Sequence, residues 1–160
     1  MEFSVIIPAR YASSRLPAKL LEKINGKTLI EHTYSNAVMS SAKRVIIATD
    51  DERISNVAKD FGAEVCMTDS SHTSGTSRLS EAVTSLDFNE DEVVVNVQGD
   101  EPMMSPNAIN QVASNLIKSG MSVATLCEKI ESEESYFDLN CVKVVYNSRC
   151  HAFYFSSSPI

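Results

Sequence analysis

A single α/β domain, a mostly parallel sheet with helices on both faces, is the fold that this 160-residue sequence predicts. Two observations carry the prediction. Short, largely apolar runs recur along the chain, as in strands buried on both faces. Between them, apolar residues return at helical spacing, so strands and helices alternate.

The strands are Phe3–Ile7, Val45–Ala48, Glu64–Met67 and Val93–Val97. Ile54, Val57, Ala58 and Phe61 stand at i, i+3, i+4 and i+7, and Leu79, Ala82, Val83 and Leu86 repeat that spacing. Ile109, Val112, Ala113, Leu116 and Ile117 carry it one step further. Each set makes one apolar helix face. Ser105-Pro106 marks a helix start, with a capping side chain and a proline in the first turn. Further strands are expected at Ser122–Leu126, Val142–Tyr146 and Ala152–Phe155, with a short helix at Glu131–Phe137. The length predicts one domain over 1–160. Because the chain stops directly after an aromatic strand, we expect the natural sequence to continue beyond Ile160.

Composition narrows the function classes. Apolar residues make up 43% of the chain and charged residues 22%, so a sizeable core is available. No apolar run approaches the roughly 20 residues that cross a bilayer, and Met1-Glu2-Phe3-Ser4-Val5 is not a secretory signal. A cytoplasmic, membrane-free protein is the expectation. Cys66, Cys127, Cys141 and Cys150 include no C-x-x-C pair, which argues against zinc and for reduced thiols. Cys66 and Cys127 lie in apolar runs and are expected to pack as small hydrophobes. The net charge of −7 disfavours nucleic acid. Its distribution says more: residues 1–27 are +3, which leaves −10 on the remainder. A local basic cluster in an acidic chain suits a compact anion.

In open parallel sheets, ligands bind beyond the carboxyl ends of the strands. Four polar loops leave such ends here. The first, Pro8 to Lys19, holds Arg10, Arg15 and Lys19 among the small residues Ala9, Ala12, Ser13 and Ser14. Arginine grips phosphate oxygens with paired donors and lysine adds a point charge. The loop is neither a Walker sequence nor a dinucleotide fingerprint, since no glycine precedes Gly26. The second loop is Ala48-Thr49-Asp50, where Asp50 either caps the next helix or joins a base or ribose pocket. The third, Ser71 to Arg78, offers Gly75 and a helix start with free N–H groups, with Thr76 or Ser77 as its first residue. His72 is read there as a solvated loop histidine. The fourth, Asn96 to Pro102, presents Gln98, Gly99 and the carboxylates Asp100 and Glu101. Magnesium commonly takes one or two carboxylates plus substrate phosphates, and Asp100 suits that role. Cations, a helix start and a metal carboxylate on one rim are what phosphoryl or nucleotidyl transfer requires.

Val5-Ile6-Ile7-Pro8-Ala9-Arg10-Tyr11-Ala12-Ser13-Ser14-Arg15-Leu16-Pro17-Ala18-Lys19 resembles the signature of the Kdo (3-deoxy-D-manno-octulosonate) cytidylyltransferases. Ile47-Ala48-Thr49-Asp50, His72-Thr73-Ser74-Gly75-Thr76 and Val95-Asn96-Val97-Gln98-Gly99-Asp100-Glu101-Pro102 match as well. The likeness runs over essentially the whole chain. The sialic acid cytidylyltransferases are less similar, because their first loop is richer in glycine. The resemblance implies a Rossmann-like three-layer sandwich of the nucleotide-diphospho-sugar transferase type. It implies transfer of CMP from CTP to Kdo with release of pyrophosphate, a step toward lipopolysaccharide, with Mg2+ as cofactor and a homodimer as assembly. By motif match, Arg10, Arg15 and Lys19 would hold the triphosphate beside Pro8 and Ala9. Ala48, Thr49, Asp50, Ser74 and Gly75 would line the cytidine region. Arg78 and Gln98 would touch nucleotide or sugar, and Asp100 would bind magnesium. Arg10, Lys19 and Asp100 are the expected catalytic residues.

Two positions depart from the family pattern. Ala18 stands where glycine is usual, which is expected to be tolerated at negative φ, and Ser157 stands where arginine is usual. Two readings from other classes also fit the residues. One is a CTP-binding module without catalysis. The other is a sugar-nucleotide enzyme, such as a glycosyltransferase, with Asp100-Glu101 as its metal motif.

Overall fold

A computed structural model describes residues 2–12 and 16–160. They gather into two compact units, Met1–Ala124 and Thr125–Ile160. In the first, β1 (Phe3–Ala9), β4 (Arg44–Thr49), β5 (Glu64–Met67) and β6 (Val93–Asn96) form a sheet of order β5-β4-β1-β6. Every pair in it is parallel. β1 lies inside the sheet and all seven of its residues are buried, which is why its sequence is apolar apart from Ser4.

Side chains alternate across β1. Phe3, Val5, Ile7 and Ala9 enter one core with α1 (Leu29–Val38), α2 (Glu52–Asp60) and α4 (Pro106–Ser119), through Ala37, Ile54, Ala58, Ile109 and Ala113. Ile6 enters the other, with Ile46, Ala48 and Cys66, under Leu79 and Ala82 of α3 (Gly75–Ser85). The result is the expected three-layer α/β sandwich. Ser4, also buried, donates its hydroxyl to Glu92 at 2.8 Å. Burial would raise the Glu92 carboxyl, but hydrogen bonds from Lys43 and Ser4 hold it below its usual range.

Helix starts follow the sequence closely. Ser105 accepts from the Asn107 amide at 3.2 Å with Pro106 in the first turn, as expected. α2 is capped by Asp51, whose carboxylate accepts from the Arg53 amide at 2.9 Å. Asp50, one residue earlier, is therefore not the cap. α3 begins at Gly75, ahead of the expected Thr76 or Ser77, because Ser74 caps it by accepting from the Ser77 amide at 3.1 Å.

Three features differ from the sequence expectation. A hairpin of β2 (Lys23–Ile24) and β3 (Lys27–Thr28) leads into α1, and apolar periodicity marks neither. In α1 a threonine takes an inward position: Thr33 is 1% exposed and donates to the Gly99 carbonyl at 2.9 Å. The expected strand at Ser122–Leu126 is not formed. An apolar run becomes a strand only where a neighbour takes its backbone groups, and here Val123 is 81% exposed. Cys127, close by, is exposed rather than packed, whereas Cys66 is buried. Burial pushes the Cys66 thiol up from its ordinary value.

The second unit holds α5 (Glu133–Phe137) and an antiparallel ribbon of β7 (Lys143–Tyr146) and β8 (Ala152–Ser156). Lys143 is 2% exposed, and its ammonium donates to the carbonyls of Asp138 (2.6 Å) and Ser157 (2.9 Å). Among the described residues no helix is long and apolar enough to cross a membrane.

Ala18 has φ +59°, not the negative value under which an alanine there is free of strain. The left-handed region costs an alanine roughly 1–2 kcal/mol, part of which glycine returns as unfolded-chain entropy. Ala18→Gly is therefore expected to stabilise the fold by about 1 kcal/mol in urea denaturation. An unchanged or lower midpoint would contradict the assignment.

Candidate functional site

The carboxyl end of β1 shapes a cleft. Ile6 accepts from the Val97 amide at 3.2 Å, so residues 4, 6 and 8 turn their backbone groups toward β6. β6 pairs with β1 only as far as Ile6–Asn96. Pro8, which has no N–H to offer, falls just past that ladder and loses no partner there. Beyond the last pair the two chains part. A cleft opens, lined by Pro8, Ala9, Arg10, His72, Thr73, Ser74, Gly75, Arg78 and Gln98.

Each wall has a local cause. A Cβ on Gly75 would lie 3.1 Å from the Pro8 ring and 3.3 Å from Gln98 Nε2, so any side chain here would press on both walls. Gln98 Nε2 donates to Asn96 Oδ1 at 2.9 Å, which fixes the side-chain amide. The first N–H groups of α3 have no carbonyl of their own helix, and the helix dipole favours negative charge at that end.

Nearby, Lys19 Nζ meets Asp100 Oδ2 at 2.8 Å, although 81 residues separate them. Lys19 opens a 3-10 turn (Lys19–Leu21), and Asp100 follows Gln98 in the turn after β6. A Cβ on Gly99, between them, would meet the Pro8 carbonyl at 3.1 Å and Leu20 Cδ1 at 3.2 Å. That close packing brings the two loops together. The side chains are 42% and 47% exposed. Such an exposed pair contributes about 0–1 kcal/mol, so both groups can be recruited by a ligand at little cost. Arg10 is exposed at the cleft wall. Arg15 lies outside the described residues.

Behind the cleft lies a different kind of ion pair. Arg78 NH2 is 3.1 Å from Asp50 Oδ2, and NH1 donates to Thr68 Oγ1 at 2.5 Å. The Arg78 side chain is 3% exposed. The other Asp50 oxygen, Oδ1, is buried with no hydrogen-bond partner. Ala48 and Thr49 are fully buried under the sheet rim and do not line the cleft. The structure thus brings Pro8, Ala9, Arg10, Ser74, Gly75, Arg78 and Gln98 to one cavity and joins Lys19 to Asp100. It sets Ala48, Thr49 and Asp50 beneath, because β4 is an inner strand whose end is roofed by α3 through Arg78.

A cytidylyltransferase family model matches residues 4–160. The chain belongs to the cytidylyltransferase family. It is 62% identical, over its whole length, to the 3-deoxy-manno-octulosonate cytidylyltransferase of Ruthia magnifica subsp. Calyptogena magnifica, of which it covers 66%. It is 51% identical to the enzyme of the same name from Haemophilus influenzae (strain KW20 / Rd), covering 63%. A solved CMP:2-keto-3-deoxy-manno-octonic acid synthetase complexed with CTP superposes with a TM-score of 0.91 at 40% identity, over 99% of this chain and 65% of that one. The chain thus spans just under two thirds of the length of these relatives.

Within this cytidylyltransferase cleft, His72 is the wall residue that the sequence leaves unremarkable. It is half-buried, and its Nε2 pairs with the Glu81 carboxylate two turns into α3. Glu81 also accepts from the Asp69 amide at 2.9 Å. That amide first, then His72, holds the Glu81 carboxyl below its usual range. No sequence pattern announces the pair, because the two residues meet only once the Ser71–Ser74 loop turns into α3.

Arg78→Leu is expected to lower stability by about 3 kcal/mol, the scale for stripping one partner from a buried pair. Undiminished stability with lost CTP binding would instead make Arg78 a ligand contact alone. The Glu81 carboxyl, depressed in the folded state, stabilises fully above its unfolded value of about 4.3, and that stabilisation is lost as pH falls through the folded value. Glu81→Gln is expected to flatten the drop of melting temperature below about pH 4.3. An equally steep drop in the variant would count against the pairing.

Proposed function

We propose that this chain binds CTP in the cleft and forms the nucleotide-binding part of an enzyme that transfers CMP from CTP to Kdo, giving CMP-Kdo and pyrophosphate. The observation that carries the reading is the 2.8 Å contact of Lys19 with Asp100, which lies two residues past Gln98 of the cleft wall. One cation and one carboxylate, both exposed and loosely held, are what a triphosphate with a divalent metal would separate and use.

In this reading the Kdo anomeric hydroxyl attacks the α-phosphorus of CTP in line. A sugar-oxygen–phosphorus bond forms, and the bond to the β-phosphate oxygen breaks. Arg10, Arg15 and Lys19 hold the triphosphate and offset the charge that builds on the leaving pyrophosphate. Gln98 and the first N–H groups of α3 hold the nucleotide, with Gly75 allowing its close approach. Among the described residues no cluster of three or more His, Cys, Asp or Glu side chains stands ready for a metal. A site made of one protein carboxylate suits magnesium, which keeps waters and substrate phosphates as its other oxygen ligands. Asp100 is the residue that would hold it, released from Lys19 as the lysine turns to phosphate. Magnesium, when bound there, supplies positive charge to the phosphates and acidifies a coordinated hydroxyl. The same reading includes Kdo as acceptor, a cytoplasmic setting and a homodimer.

Calorimetry with CTP and CMP in the presence of magnesium tests it. Lys19→Ala is expected to weaken CTP about tenfold or more, the scale of one charge-assisted phosphate contact, and CMP by less than about twofold. Asp100→Asn is expected to remove the magnesium dependence of CTP binding while leaving the circular dichroism unchanged. Equal weakening of both nucleotides by Lys19→Ala would sink the triphosphate assignment.

A further inference from the structure

The loop that carries Arg10 and Lys19 is tied down from outside the cleft. Arg53, on the first turn of α2, lays its guanidinium 3.3 Å from the centre of the Tyr11 ring. Its own position is set by Asp51. Nε donates to Oδ1 at 2.9 Å and NH2 to Oδ2 at 2.6 Å, the paired geometry that only a planar fork provides. Asp51 is in turn fixed as the cap of α2, accepting from the Arg53 amide. Carboxylate, guanidinium and phenol therefore form one stack rooted in a helix start.

Tyr11 is the residue at which this stack reaches the loop. It follows Arg10 directly, and its carbonyl accepts from the Ala18 amide at 3.1 Å, one residue before Lys19. One residue thus ties both ends of the segment between them. Asp51 and Arg53 do not line the cleft. Arg53 is 60% exposed, so the core does not require it.

We propose that Arg53 is a positioning residue for the triphosphate: by clamping Tyr11 it holds Arg10 and Lys19 at the spacing that distinguishes CTP from CMP. The nucleotide half of this inference rests on the reading of the cleft given above. The clamp itself does not, because the Ala18 amide reports it in the free protein.

The test follows amide hydrogen exchange at Ala18, together with CTP and CMP affinity, in the 160-residue chain. Arg53→Ala is expected to speed Ala18 exchange about tenfold, by freeing a local opening. The same variant is expected to weaken CTP about fivefold and CMP by less than about twofold. Arg53→Lys keeps the charge but loses the fork and the stack, and should behave like the alanine variant. Tyr11→Phe keeps the ring and should match the unaltered chain. Adding Arg53→Ala to Tyr11→Ala should weaken CTP no further than Tyr11→Ala alone, since the two act as one unit. Unchanged Ala18 exchange in Arg53→Ala overturns the clamp. Full CTP affinity in Arg53→Lys overturns it also, since charge alone would then suffice. If the unaltered chain bound no CTP, the cleft reading would fail, and the exchange rate would still decide the clamp.

Discussion

Everything at the cleft depends on where the β1–β6 ladder stops. β1 is buried on both faces and paired on both edges, so it offers no side chain to solvent along its length. Its chemistry is pushed to its end. There Pro8 meets a neighbour that has already turned away, with Gly75 close against its ring and Gly99 close against its carbonyl. Two glycines allow that crowding. The gap left beyond it takes the polar groups of three loops. A bulkier residue at 75 or 99 would press on Pro8 and its neighbours.

Two ion pairs on this rim have opposite characters. Arg78 with Asp50 is shielded, backed by Thr68, and binds α3 to the ends of β4 and β5. Its worth lies in not moving, since either charge alone would be stranded. Lys19 with Asp100 is half-exposed and weakly held. Both partners are available for exchange with an incoming charged ligand. The fold thus separates a fixed frame from a replaceable contact within one small region.

Much of this was legible in the residues. Burial made β1 and the inner part of β4 readable as largely apolar runs, and β6, only partly buried, readable from its three valines. The amphipathic repeats of α2, α3 and α4 and the Ser105-Pro106 start were readable from spacing. Convergence of Lys19 and Asp100 followed from topology, because parallel strands send their following loops to the same side. Other features were hidden for identifiable reasons. α1 places Thr33 where an apolar residue would have announced the helix. Of the adjacent aspartates 50 and 51, helix phasing alone decides which caps α2. Arg78 was expected at the ligand by motif match, but its burial against Asp50 was hidden, because the partner lies 28 positions away. The run at Ser122–Leu126 carried strand character but found no strand to join.

α3 covers the second face of the sheet through Leu79 and Ala82 over Ile6, Ile46, Ala48 and Cys66, with Leu86 and Phe88 just past its end packed alongside. Its first residues also form one wall of the cleft. A single element therefore serves as roof for one hydrophobic layer and as threshold for the ligand. Occupancy and folding are linked through it: a molecule seated on Ser74 and Gly75 favours the docked helix and resists its fraying by mass action. Conversely, loosening the Leu79–Ala82 contact from the far side would cost affinity without touching any wall residue.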